Sequence, residues 1–429
     1  MEHILNIVRP LIPKRIFKAT QPIYHFILAF LSALIYRFPS RKIVVIGVTG
    51  TKGKSSTTEY VNAILEKAGY QTAVANTIRH KIGENSRPNK YKMTMPGRFF
   101  IQHFLRRALV AGCTHVVIEI SSEGVLQYRH RFLDLDALIF TNLSPEHLDT
   151  HGSYENYVQA KVEIGKRVIK KDGTLVVNGD DEQAYRFLAL NVPHKITFST
   201  KDIPHDIRDG KNCFRFDRKN CFRFDSINIC TPIKGMFTAY NMIAAATYAE
   251  HIGIKKEIVR EALEEVHEIK GRAQEIDGGQ DFVVVVDYAH TPDSLEHIYK
   301  AYDGYKIVGV LGGTGGGRDT WKRKEMGKLA DRYCEKIYLT NEDPYDEDPW
   351  QIINHVADGI EHTDKLKKIM DRREAIREAL MSAKELRKTH DLVAVLITGK
   401  GTDPYIMEAH NKKTPWSDEQ VVREELKKL

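Results

Sequence analysis

The sequence lacks several features that define whole classes of protein. It has no apolar run of the roughly 20 residues that a membrane-spanning helix needs, and the run 26–36 is too short. It has no block of like charge, because 64 basic and 57 acidic residues are scattered along the chain and leave a net charge of +7. Scattered charge indicates solvated faces and not a nucleic-acid surface, although a mild positive excess suits polyanionic ligands such as nucleotides.

Cysteine is also scarce. The chain has five cysteines, an odd number, at positions 113, 213, 221, 230 and 334, and none forms a C-x-x-C pair. This pattern argues against a disulfide framework or a zinc site. We therefore predict a reducing, cytosolic compartment.

The first 40 residues form a segment of their own. The apolar run "FILAFLSALIY" follows the basic residues Arg9, Lys14, Arg15 and Lys18, and no small-x-small cleavage site follows it. We predict a helical arm, residues 1–40, packed on the body of the protein. A membrane-surface anchor, which would make the protein peripheral to the membrane, and a cleaved signal are the alternatives.

The rest of the chain alternates between β-rich apolar runs and segments of helical period. Predicted strands are 42–48, 115–120, 136–141, 174–178, 282–287, 306–311, 335–340 and 392–398. Predicted helices are 55–68, 98–111, 154–170, 238–252, 255–267, 293–302, 322–333, 349–360, 373–388 and 418–428. This alternation is typical of α/β proteins with parallel sheets. We place a boundary near Lys270-Gly271, which gives domains 41–270 and 271–429.

An internal repeat stands out. "KNCFRFD" occurs at 211–217 and again at 219–225. Its alternation predicts two short strands or one long edge strand. We interpret it as a local duplication in a surface excursion and assign it no function.

The stretch "GVTGTKGKSST", residues 47–57, follows an apolar strand and precedes a helical segment. That is the context of a phosphate-binding loop, in which glycines let backbone N–H groups face the phosphates and the helix N-terminus adds positive charge. The usual G-x-x-x-x-G-K-[ST] spacing wants glycine at position 48, which is valine. On the loop alone, a glycine-rich turn remains an alternative.

Further motifs follow in order along the chain. They include "IEISSEGVLQYRHR" (118–131), "TNLSPEHLDTHGSYENYVQAK" (141–161), "YNMIAAA" (240–246), "GRAQE" (271–275), "VDYAHTPDSLE" (286–296) and "TGKGTD" (398–403). Together with the loop, they resemble the Mur ligases, ATP-dependent amino-acid ligases of peptidoglycan synthesis, and within them the tripeptide-synthetase branch. The resemblance covers residues 41–429. It implies a central P-loop ATPase domain with a mostly parallel sheet and a C-terminal Rossmann-like domain that binds the amino acid.

The resemblance also implies ATP-driven amide-bond formation through an acyl phosphate, with ATP and Mg²⁺ required. The implied catalytic residues are Lys54, Glu119, His147 and Lys161. The implied metal ligands are Ser55, Glu119, His147 and Lys161. Lys161 matches the family lysine that reacts with CO₂, and carbamylation would replace an ammonium beside Mg²⁺ by an anion.

Two further groups of residues carry over from the family motifs. The implied ATP-binding residues are Gly50, Thr51, Lys52, Gly53, Lys54, Ser55, Ser56, Asn142, Asn241, Arg272, Asp287 and His290. The implied substrate-binding residues are Thr94, Ser122, Arg129, Glu342, Asp343, Tyr345, Gly399 and Asp403. The C-terminal residues can meet ATP only if the two domains close on each other.

The sequence departs from the family pattern in its substrate-facing parts. About forty residues precede the loop, so the usual N-terminal domain that holds the uridine nucleotide has no counterpart here. Tyr345 stands where enzymes that add diaminopimelate have the arginine of D-N-P-R, and tyrosine cannot form a bidentate pair with a carboxylate. Asp403 replaces the glutamate of G-K-G-H-E.

These observations leave three functions open. The first is addition of the third amino acid to UDP-N-acetylmuramoyl-L-Ala-D-Glu. The second is a ligase of the same superfamily with another acid acceptor, of the folylpolyglutamate or cyanophycin type. The third is a P-loop NTPase without ligase activity. The expected partners are therefore an acid substrate and an amino acid, with no nucleic acid.

Overall fold

A computed structural model describes residues 14–168, 172–217, 226–317 and 319–429 of the protein, with side chains described from residue 20 onward. The predicted second copy of the repeat, 219–225, lies outside the described residues. Within them, all eight predicted strands and all ten predicted helices are present, with boundaries shifted by a few residues.

The first sheet has eight strands and carries the N-terminal half of the site. In pairing order its strands are β4 (Asn85–Pro88), β3 (Arg79–Ile82), β2 (Thr72–Ala75), β5 (His115–Glu119), β1 (Val44–Thr49), β6 (Ala137–Phe140), β7 (Thr174–Asn178) and β8 (His194–Phe198). All neighbours are parallel except at the β2–β3 and β3–β4 pairs. The strands β1 and β7 are almost wholly buried, as parallel strands covered on both faces must be.

Helices cover both faces of this sheet. They are α2 (Lys54–Lys67), α3 (Arg98–Val110), α4 (Ser122–Leu126), α5 (Leu148–His151), α6 (Tyr154–Gly165), α7 (Ala184–Leu188), α8 (Met236–His251) and α9 (Lys256–Glu264). The alanine-rich helix α8 is apolar on all sides, and its residues 244–246 are fully buried against the α2 side of the core. A helix of this composition belongs in a core.

A three-stranded antiparallel sheet projects from this half. Its order is β11 (Ser226–Thr231), β10 (Lys211–Asp217) and β9 (His205–Arg208). The first repeat copy forms β10, so it is a strand as expected. It is the middle strand and not an edge, because it pairs with β11 on one side and with β9 on the other. Its residues Phe214 and Phe216 are buried in the core.

The prediction that the cysteines form no disulfide is wrong for one pair. Cys213 and Cys230 are directly opposite each other on β10 and β11 and form a disulfide, with Cα atoms 4.1 Å apart. Strand pairing brings together two cysteines that sequence spacing did not associate. Cys113 and Cys334 are buried thiols. The reducing, cytosolic compartment stays a prediction, and this pair weakens its basis.

The C-terminal half is built on a six-stranded sheet. Its order is β12 (Gln274–Glu275), β13 (Val283–Val286), β17 (Val393–Ile397), β14 (Lys306–Leu311), β15 (Cys334–Leu339) and β16 (Leu366–Lys368), and all pairs except β12–β13 are parallel. Its helices are α10 (Pro292–Ala301), α11 (Trp321–Tyr333), α12 (Pro349–Ala357), α13 (Arg372–Leu386) and α14 (Asp418–Leu426). The strands β18 (Tyr405–Met407) and β19 (Lys413–Pro415) form a hairpin. The predicted α/β architecture, with two mainly parallel sheets, is confirmed.

The N-terminal arm is a helix, α1 (Lys14–Ile35), as predicted. Its small residues Ala29, Ser32 and Ala33 are buried against the body, where the Ser32 hydroxyl donates a hydrogen bond to the Arg98 carbonyl at the start of α3. Within the described part of the chain, no helix is both long and apolar enough to cross a membrane.

A buried ion pair joins the last two helices. The Arg372 guanidinium donates two hydrogen bonds of 2.8 Å to the Asp418 carboxylate, and both side chains are shielded from water. Bidentate geometry is what offsets the desolvation of both charges.

Removing one partner of this pair should destabilise the fold strongly. We expect Arg372→Ala to lower the free energy of unfolding by about 3–5 kcal/mol, because Asp418 is left charged and buried. Urea denaturation measures this. Arg377→Ala on the same helix breaks an exposed pair with Glu374 and should cost less than about 1 kcal/mol. Equal losses in the two variants would contradict the assignment.

Candidate active site

A cavity of about 1550 Å³ lies between the two halves of the protein. Of the predicted site residues, all but five line it. The lining residues are Thr51, Lys52, Gly53, Lys54, Ser55, Ser56, Thr94, Glu119, Ser122, Arg129, Asn142, His147, Lys161, Asn241, Arg272, Asp287, His290 and Tyr345. The five others, Gly50, Glu342, Asp343, Gly399 and Asp403, do not line it.

Sheet order explains why so many of these residues meet. The strand β1 pairs in parallel with β5 on one side and β6 on the other, so Val48 lies opposite Glu119 and Thr49 opposite Phe140. The glycine-rich loop therefore leaves the sheet between Glu119 and the Thr141-Asn142 turn. Ligand crevices in open α/β sheets form at such strand ends.

The loop forms a phosphate cradle at the start of α2. Gly53 has φ +82° and precedes the helix without a side-chain cap, which leaves the first backbone N–H groups of the helix available to an anion. A Cβ at Gly53 would come within 2.1 Å of Asn241 Oδ1, and one at Gly50 within 1.9 Å of Thr141 Oγ1. Only glycine fits at both positions, because the neighbouring side chains leave no room for a Cβ.

Glu119 accepts hydrogen bonds from several groups beside the loop. Its Oε2 accepts hydrogen bonds from Ser55 Oγ at 2.9 Å, the Thr77 amide at 2.9 Å and Thr77 Oγ1 at 3.0 Å. Its Oε1 lies 3.9 Å from Lys54 Nζ. Burial lowers the pKa of Lys54, while the Glu119 charge acts in the opposite direction. A carboxylate and a hydroxyl in contact beside a phosphate cradle are hard oxygen ligands of the kind that Mg²⁺ prefers.

Lys161 is buried beneath the loop. It lies on α6, whose N-terminus is capped by Ser153, and its Nζ donates a hydrogen bond of 2.7 Å to the Gly50 carbonyl. Only 2% of its surface is exposed. Burial, followed by the charge of Lys54, lowers the pKa of Lys161 well below its ordinary 10.5. The side chain therefore has access to its neutral amine form.

Glu146 links the two domains at the other side of the loop. Its carboxylate lies 3.4 Å from Lys52 Nζ and 3.3 Å from His290 Nε2, which belongs to the C-terminal half. Burial alone would raise the pKa of Glu146, but Lys52 and His290 hold it well below the usual range. His147, the next residue, has φ +56° and is half-exposed, with Nδ1 3.6 Å from Glu123 Oε1.

The C-terminal half contributes Arg272 and Asp287. Arg272 Nη2 donates a hydrogen bond of 3.3 Å to Ser55 Oγ, and its guanidinium stacks over the Tyr288 ring at 4.5 Å. The Asp287 carboxylate accepts hydrogen bonds of 2.6 Å from the amides of Ala273 and Ala289. Burial raises the pKa of Asp287. In this arrangement Arg272 faces the loop, and Asp287 fixes the segment that carries it.

The predicted asparagines shape the walls of the loop. Asn142 accepts a hydrogen bond from the Lys52 amide at 2.9 Å and donates one of 3.1 Å to the Lys52 carbonyl. Asn241 accepts one of 3.4 Å from Thr57 Oγ1. Both side chains hold the cradle in place from the cavity wall.

Three of the residues predicted to bind substrate line the cavity. Thr94 Oγ1 lies 2.9 Å from Thr77 Oγ1, and Ser122 Oγ lies 3.1 Å from His151 Nε2. Arg129 donates hydrogen bonds to the Met95 carbonyl and to Gln127 Oε1. This part of the cavity wall therefore carries hydroxyl and guanidinium groups.

The other predicted substrate residues form a buried charged cluster. Lys400 Nζ donates to both Asp343 carboxylate oxygens, at 2.9 and 3.0 Å, and lies 3.6 Å from Asp403. Glu342 accepts a hydrogen bond from Thr314 and lies against Gly399, where a Cβ would clash with its carboxylate. Tyr345 has φ +53° and faces the cavity.

The predicted metal ligands do not form a preformed cage. Among the described residues, no three His, Cys, Asp or Glu side chains are grouped to hold a metal ion. Mg²⁺ is commonly held by one or two carboxylates together with substrate phosphates and water, so Ser55 and Glu119 beside the cradle fit it. His147 points toward Glu123 and contributes no contact to Glu119.

Sequence reasoning missed several residues of the site. Glu146 and Tyr157 stand inside a motif that the sequence already singled out, and Tyr157 OH lies 2.8 Å from Thr51 Oγ1. Their positions in that motif could have identified them. Thr77 and Lys92 carry no sequence signal, because their roles arise from contacts with segments distant in the chain.

The comparisons with known proteins agree with this geometry. The family profile described as "Mur ligase middle domain" matches residues 48–249, and the one described as "Mur ligase, glutamate ligase domain" matches residues 271–401. Two relatives are named UDP-N-acetylmuramoyl-L-alanyl-D-glutamate--2,6-diaminopimelate ligase. The one from Aquifex aeolicus is 36% identical over 391 residues, which are 90% of this chain and 78% of the relative. The one from Syntrophomonas wolfei is 35% identical and covers 88% and 77%.

Solved structures show the same fold. A structure of a UDP-N-acetylmuramoyl-L-alanyl-D-glutamate--2,6-diaminopimelate ligase superposes with a TM-score of 0.61 at 27% identity, covering 90% of this chain and 78% of that one. A Mycobacterium tuberculosis folylpolyglutamate synthase, complexed with ADP and AMPPCP, has a TM-score of 0.71 at 16% identity and covers 87% and 92%. The second likeness shows the fold alone. With both family domains matched and relatives above 30% identity along most of their length, the protein belongs to the Mur ligase family and is an ATP-dependent ligase.

Proposed function

We propose that the protein joins an amino acid to a free carboxylate of the D-glutamate in UDP-N-acetylmuramoyl-L-alanyl-D-glutamate, the acceptor in the names of its relatives. The observation that carries the proposal is the convergence of Lys54, Ser55, Glu119 and Arg272 on one cavity. A nucleotide loop, an oxygen-ligand pair and a guanidinium from the second domain are the groups that phosphoryl transfer to a carboxylate needs.

The reaction divides into two balanced steps. An oxygen of the acceptor carboxylate attacks the γ-phosphorus of ATP. The bond between that phosphorus and the β,γ-bridging oxygen breaks, and ADP leaves with its electron pair. The neutral amine of the amino acid then attacks the acyl carbon, phosphate leaves with its electron pair, and the nitrogen loses a proton. Mg²⁺, held by Ser55 and Glu119, would neutralise phosphate charge.

The chain's own residues supply orientation and charge. The loop amides and the Lys54 ammonium face the phosphates, and Arg272 adds a cation only when the C-terminal half is closed on the loop. Arg129, Ser122 and Thr94 line the same cavity, and in this proposal they hold the acid substrate. Exclusion of water from the site during the reaction would protect an acyl phosphate from hydrolysis.

A second candidate acceptor is a different acid. The arm residues Gln21, Tyr24 and His25 line the same cavity, so an acceptor bound beside them would contact a segment that the family resemblance does not explain. A third candidate, an NTPase without ligase activity, predicts ATP hydrolysis that does not depend on an amino acid.

The first prediction concerns turnover. We expect phosphate release from Mg-ATP with UDP-N-acetylmuramoyl-L-alanyl-D-glutamate to depend on one amino acid, with a matching product mass. Lys54→Met and Glu119→Gln should each lower kcat on the order of 100-fold. Phosphate release without an added amino acid would favour the NTPase, and turnover with another acid only would favour the second acceptor.

The matched control is Lys67→Met at the far end of α2, whose side chain pairs with Glu261 and Glu265 away from the cavity. It should keep wild-type kcat. A loss there equal to the loss in Lys54→Met would mean that the variants act through folding.

We also propose that Lys161 is carbamylated by CO₂. Only a neutral amine reacts with CO₂, and the burial that lowers the pKa of Lys161 supplies that form. The product is an anion next to Lys54, and it would add a carboxylate-like oxygen ligand for Mg²⁺ at the loop.

Labelled bicarbonate tests this proposal. We expect a ¹³C carbamate resonance in the wild type and none in Lys161→Met, whereas Lys166→Met, in the exposed residue that follows α6, should keep it. The folded protein without the carbamate binds fewer protons at Lys161 than the unfolded chain does. Its free energy of unfolding should therefore rise with pH from the lowered pKa up to about 10.4. Lys161→Met should flatten this slope, and an unchanged slope together with a missing resonance would contradict the proposal.

A third proposal is that the arm contacts a membrane surface. The helix α1 buries its small residues and exposes its large apolar ones, which is the reverse of a helix on a soluble protein. The exposed residues are Ile23, Phe26, Ile27, Phe30, Leu31, Leu34 and Ile35, between 41% and 62% exposed. Residues 1–41 contain the basic residues Arg9, Lys14, Arg15, Lys18, Arg37 and Arg41 against one acid, Glu2. Such a face and such a charge fit the interface of an anionic bilayer.

Vesicle flotation tests this contact. Phe30→Ser with Leu34→Ser should lower binding to phosphatidylglycerol-containing vesicles on the order of tenfold, because each side chain loses apolar burial in the interface. Ile207→Ser, which is 71% exposed on β9, is the control and should bind as the wild type does. If the wild type does not bind the vesicles, or if the double substitution converts a dimer into a monomer, the exposed face of α1 contacts another partner and not a membrane.

A further inference from the structure

The arm helix α1 presents part of its surface to the cavity. Thr20, Gln21, Tyr24 and His25 line the cavity, and their spacing places them on one face of the helix. The arm lies outside both matched family profiles, which begin at residues 48 and 271. This face of α1 is therefore a part of the cavity wall to which no family motif assigns a role.

His25 on this face is hydrogen-bonded to the start of α3. Arg98 is the first residue of α3, and its Nη2 group donates a hydrogen bond to His25 Nδ1. A guanidinium group cannot accept a hydrogen bond, so His25 Nδ1 is unprotonated and the neutral ring carries its proton on Nε2. The Nε2 atom is buried and has no hydrogen-bond partner among the described residues. The ring is therefore a donor that lacks an acceptor.

Two guanidinium groups, those of Arg98 and Arg129, accompany this ring in the cavity wall. The Nε group of each is also buried, without a hydrogen-bond partner in the part of the chain that the structure describes. The Nη groups of Arg129 donate hydrogen bonds to the Met95 carbonyl and to Gln127 Oε1, which are both uncharged. Neither guanidinium forms an ion pair with a carboxylate of the described residues.

The positive charge of this group is therefore not balanced. Burial, followed by the charge of Arg129, lowers the pKa of Arg98. Burial, followed by the charges of both guanidinium groups, lowers the pKa of His25 to about 4. Glu123 acts in the opposite direction on the pKa of Arg129, but its side chain is 48% exposed and lies 3.6 Å from His147 Nδ1. Cations and N–H donors in such surroundings are stabilised by an anion that accepts hydrogen bonds.

The two guanidinium groups fit a diphosphate better than a carboxylate. Each guanidinium is a planar fork of donors that matches a phosphate or a carboxylate equally well. A single carboxylate would neutralise one of the two cations and leave the other without a partner. A diphosphate carries a negative charge on each phosphate and offers acceptor oxygens to both forks and to the imidazole N–H.

We propose that His25, Arg98 and Arg129 form a subsite for a diphosphate group of the acid acceptor. The inference rests on the proposed joining of an acid acceptor to an amino acid. Arg129 contacts the carbonyl of Met95, the residue after Thr94, so the subsite adjoins the residues proposed to hold the acid. A nucleotide-linked and a polyprenyl-linked acceptor both contain a diphosphate, and this shared group is what the subsite recognises.

Binding of three forms of the acceptor tests the subsite. The first is UDP-N-acetylmuramoyl-L-alanyl-D-glutamate, the second is the same muramoyl dipeptide linked through a diphosphate to a short polyprenyl chain, and the third is the muramoyl dipeptide without a diphosphate. Isothermal titration of the full chain is carried out with Mg-AMPPCP bound, so that the phosphate cradle at the loop is occupied. We expect at least one diphosphate form to bind on the order of tenfold more tightly than the third form, because only the diphosphate makes charge-assisted hydrogen bonds to the subsite.

Substitutions then identify the residues responsible for this affinity ratio. Arg98→Met removes one cation and should lower the ratio several-fold, whereas His25→Phe removes a neutral donor and should lower it less. Arg107→Met, in an exposed residue of the same helix α3, is the matched control and should keep the wild-type ratio. A substitution that only disturbs packing lowers the affinity for all three forms together and leaves the ratio unchanged.

The outcomes separate the subsite from the proposed function. Equal affinity of the wild type for all three forms, or an unchanged ratio in Arg98→Met, would overturn the subsite. Preference for the uridine form or for the polyprenyl form supports it and identifies the source of the diphosphate. Product formed with the same KM for acceptors with and without a diphosphate would overturn the subsite and leave the function in place. Diphosphate-dependent binding without product from any form would overturn the function and leave the subsite in place.

Discussion

The hydrogen bond between Arg272 and Ser55 is the contact on which the active site depends. Ser55 belongs to the loop at the end of β1, and Arg272 opens the C-terminal half. The same Ser55 hydroxyl donates a hydrogen bond to Glu119, so Arg272 and Glu119 both contact the Ser55 Oγ atom. Glu146 makes a parallel connection between Lys52 and His290. If the halves separate, the cradle keeps its glycines and amides but loses its contacts with Arg272 and His290 of the second half.

Sheet topology sets where this contact forms. Parallel pairing of β1 with β5 and β6 brings three strand ends to one edge, and the loop, Glu119 and Asn142 follow from that order. The sequence predicted this half well, because its strands are continuous apolar runs and its helices have clear periods. The long signature motifs then identified eighteen cavity-lining residues before any geometry was known.

Other features depend on contacts that no local pattern records. The hairpin strands β3 and β4 are polar and short, with exposed residues throughout β4, so they carry no periodic signal. The Cys213–Cys230 disulfide results from the register of two antiparallel strands. Thr77 reaches Glu119, and Lys92 reaches Asp343, across long sequence separations. Spacing cannot predict such pairs, since each is fixed only when the tertiary fold forms.

Charge accounts for the difference between the two ends of the cavity. At the loop, Lys52, Lys54 and Arg272 outnumber Glu119 and Glu146, an excess that suits a nucleotide. Burial, followed by the charge of Lys54, lowers the pKa of Lys161, so a second buried ammonium group beside Lys54 is unfavourable. Conversion of Lys161 to a carbamate would reverse the sign of that interaction and stabilise Lys54 as the cation that faces the phosphates.

A second group of charges lies in the C-terminal half. The position that holds an arginine in the diaminopimelate motif is Tyr345, and the carboxylates Asp343 and Asp403 are neutralised by Lys400 from within and by Lys92 from the central half. Because Lys92 comes from the other half, the ion pair that neutralises these buried carboxylates also joins the two halves of the protein.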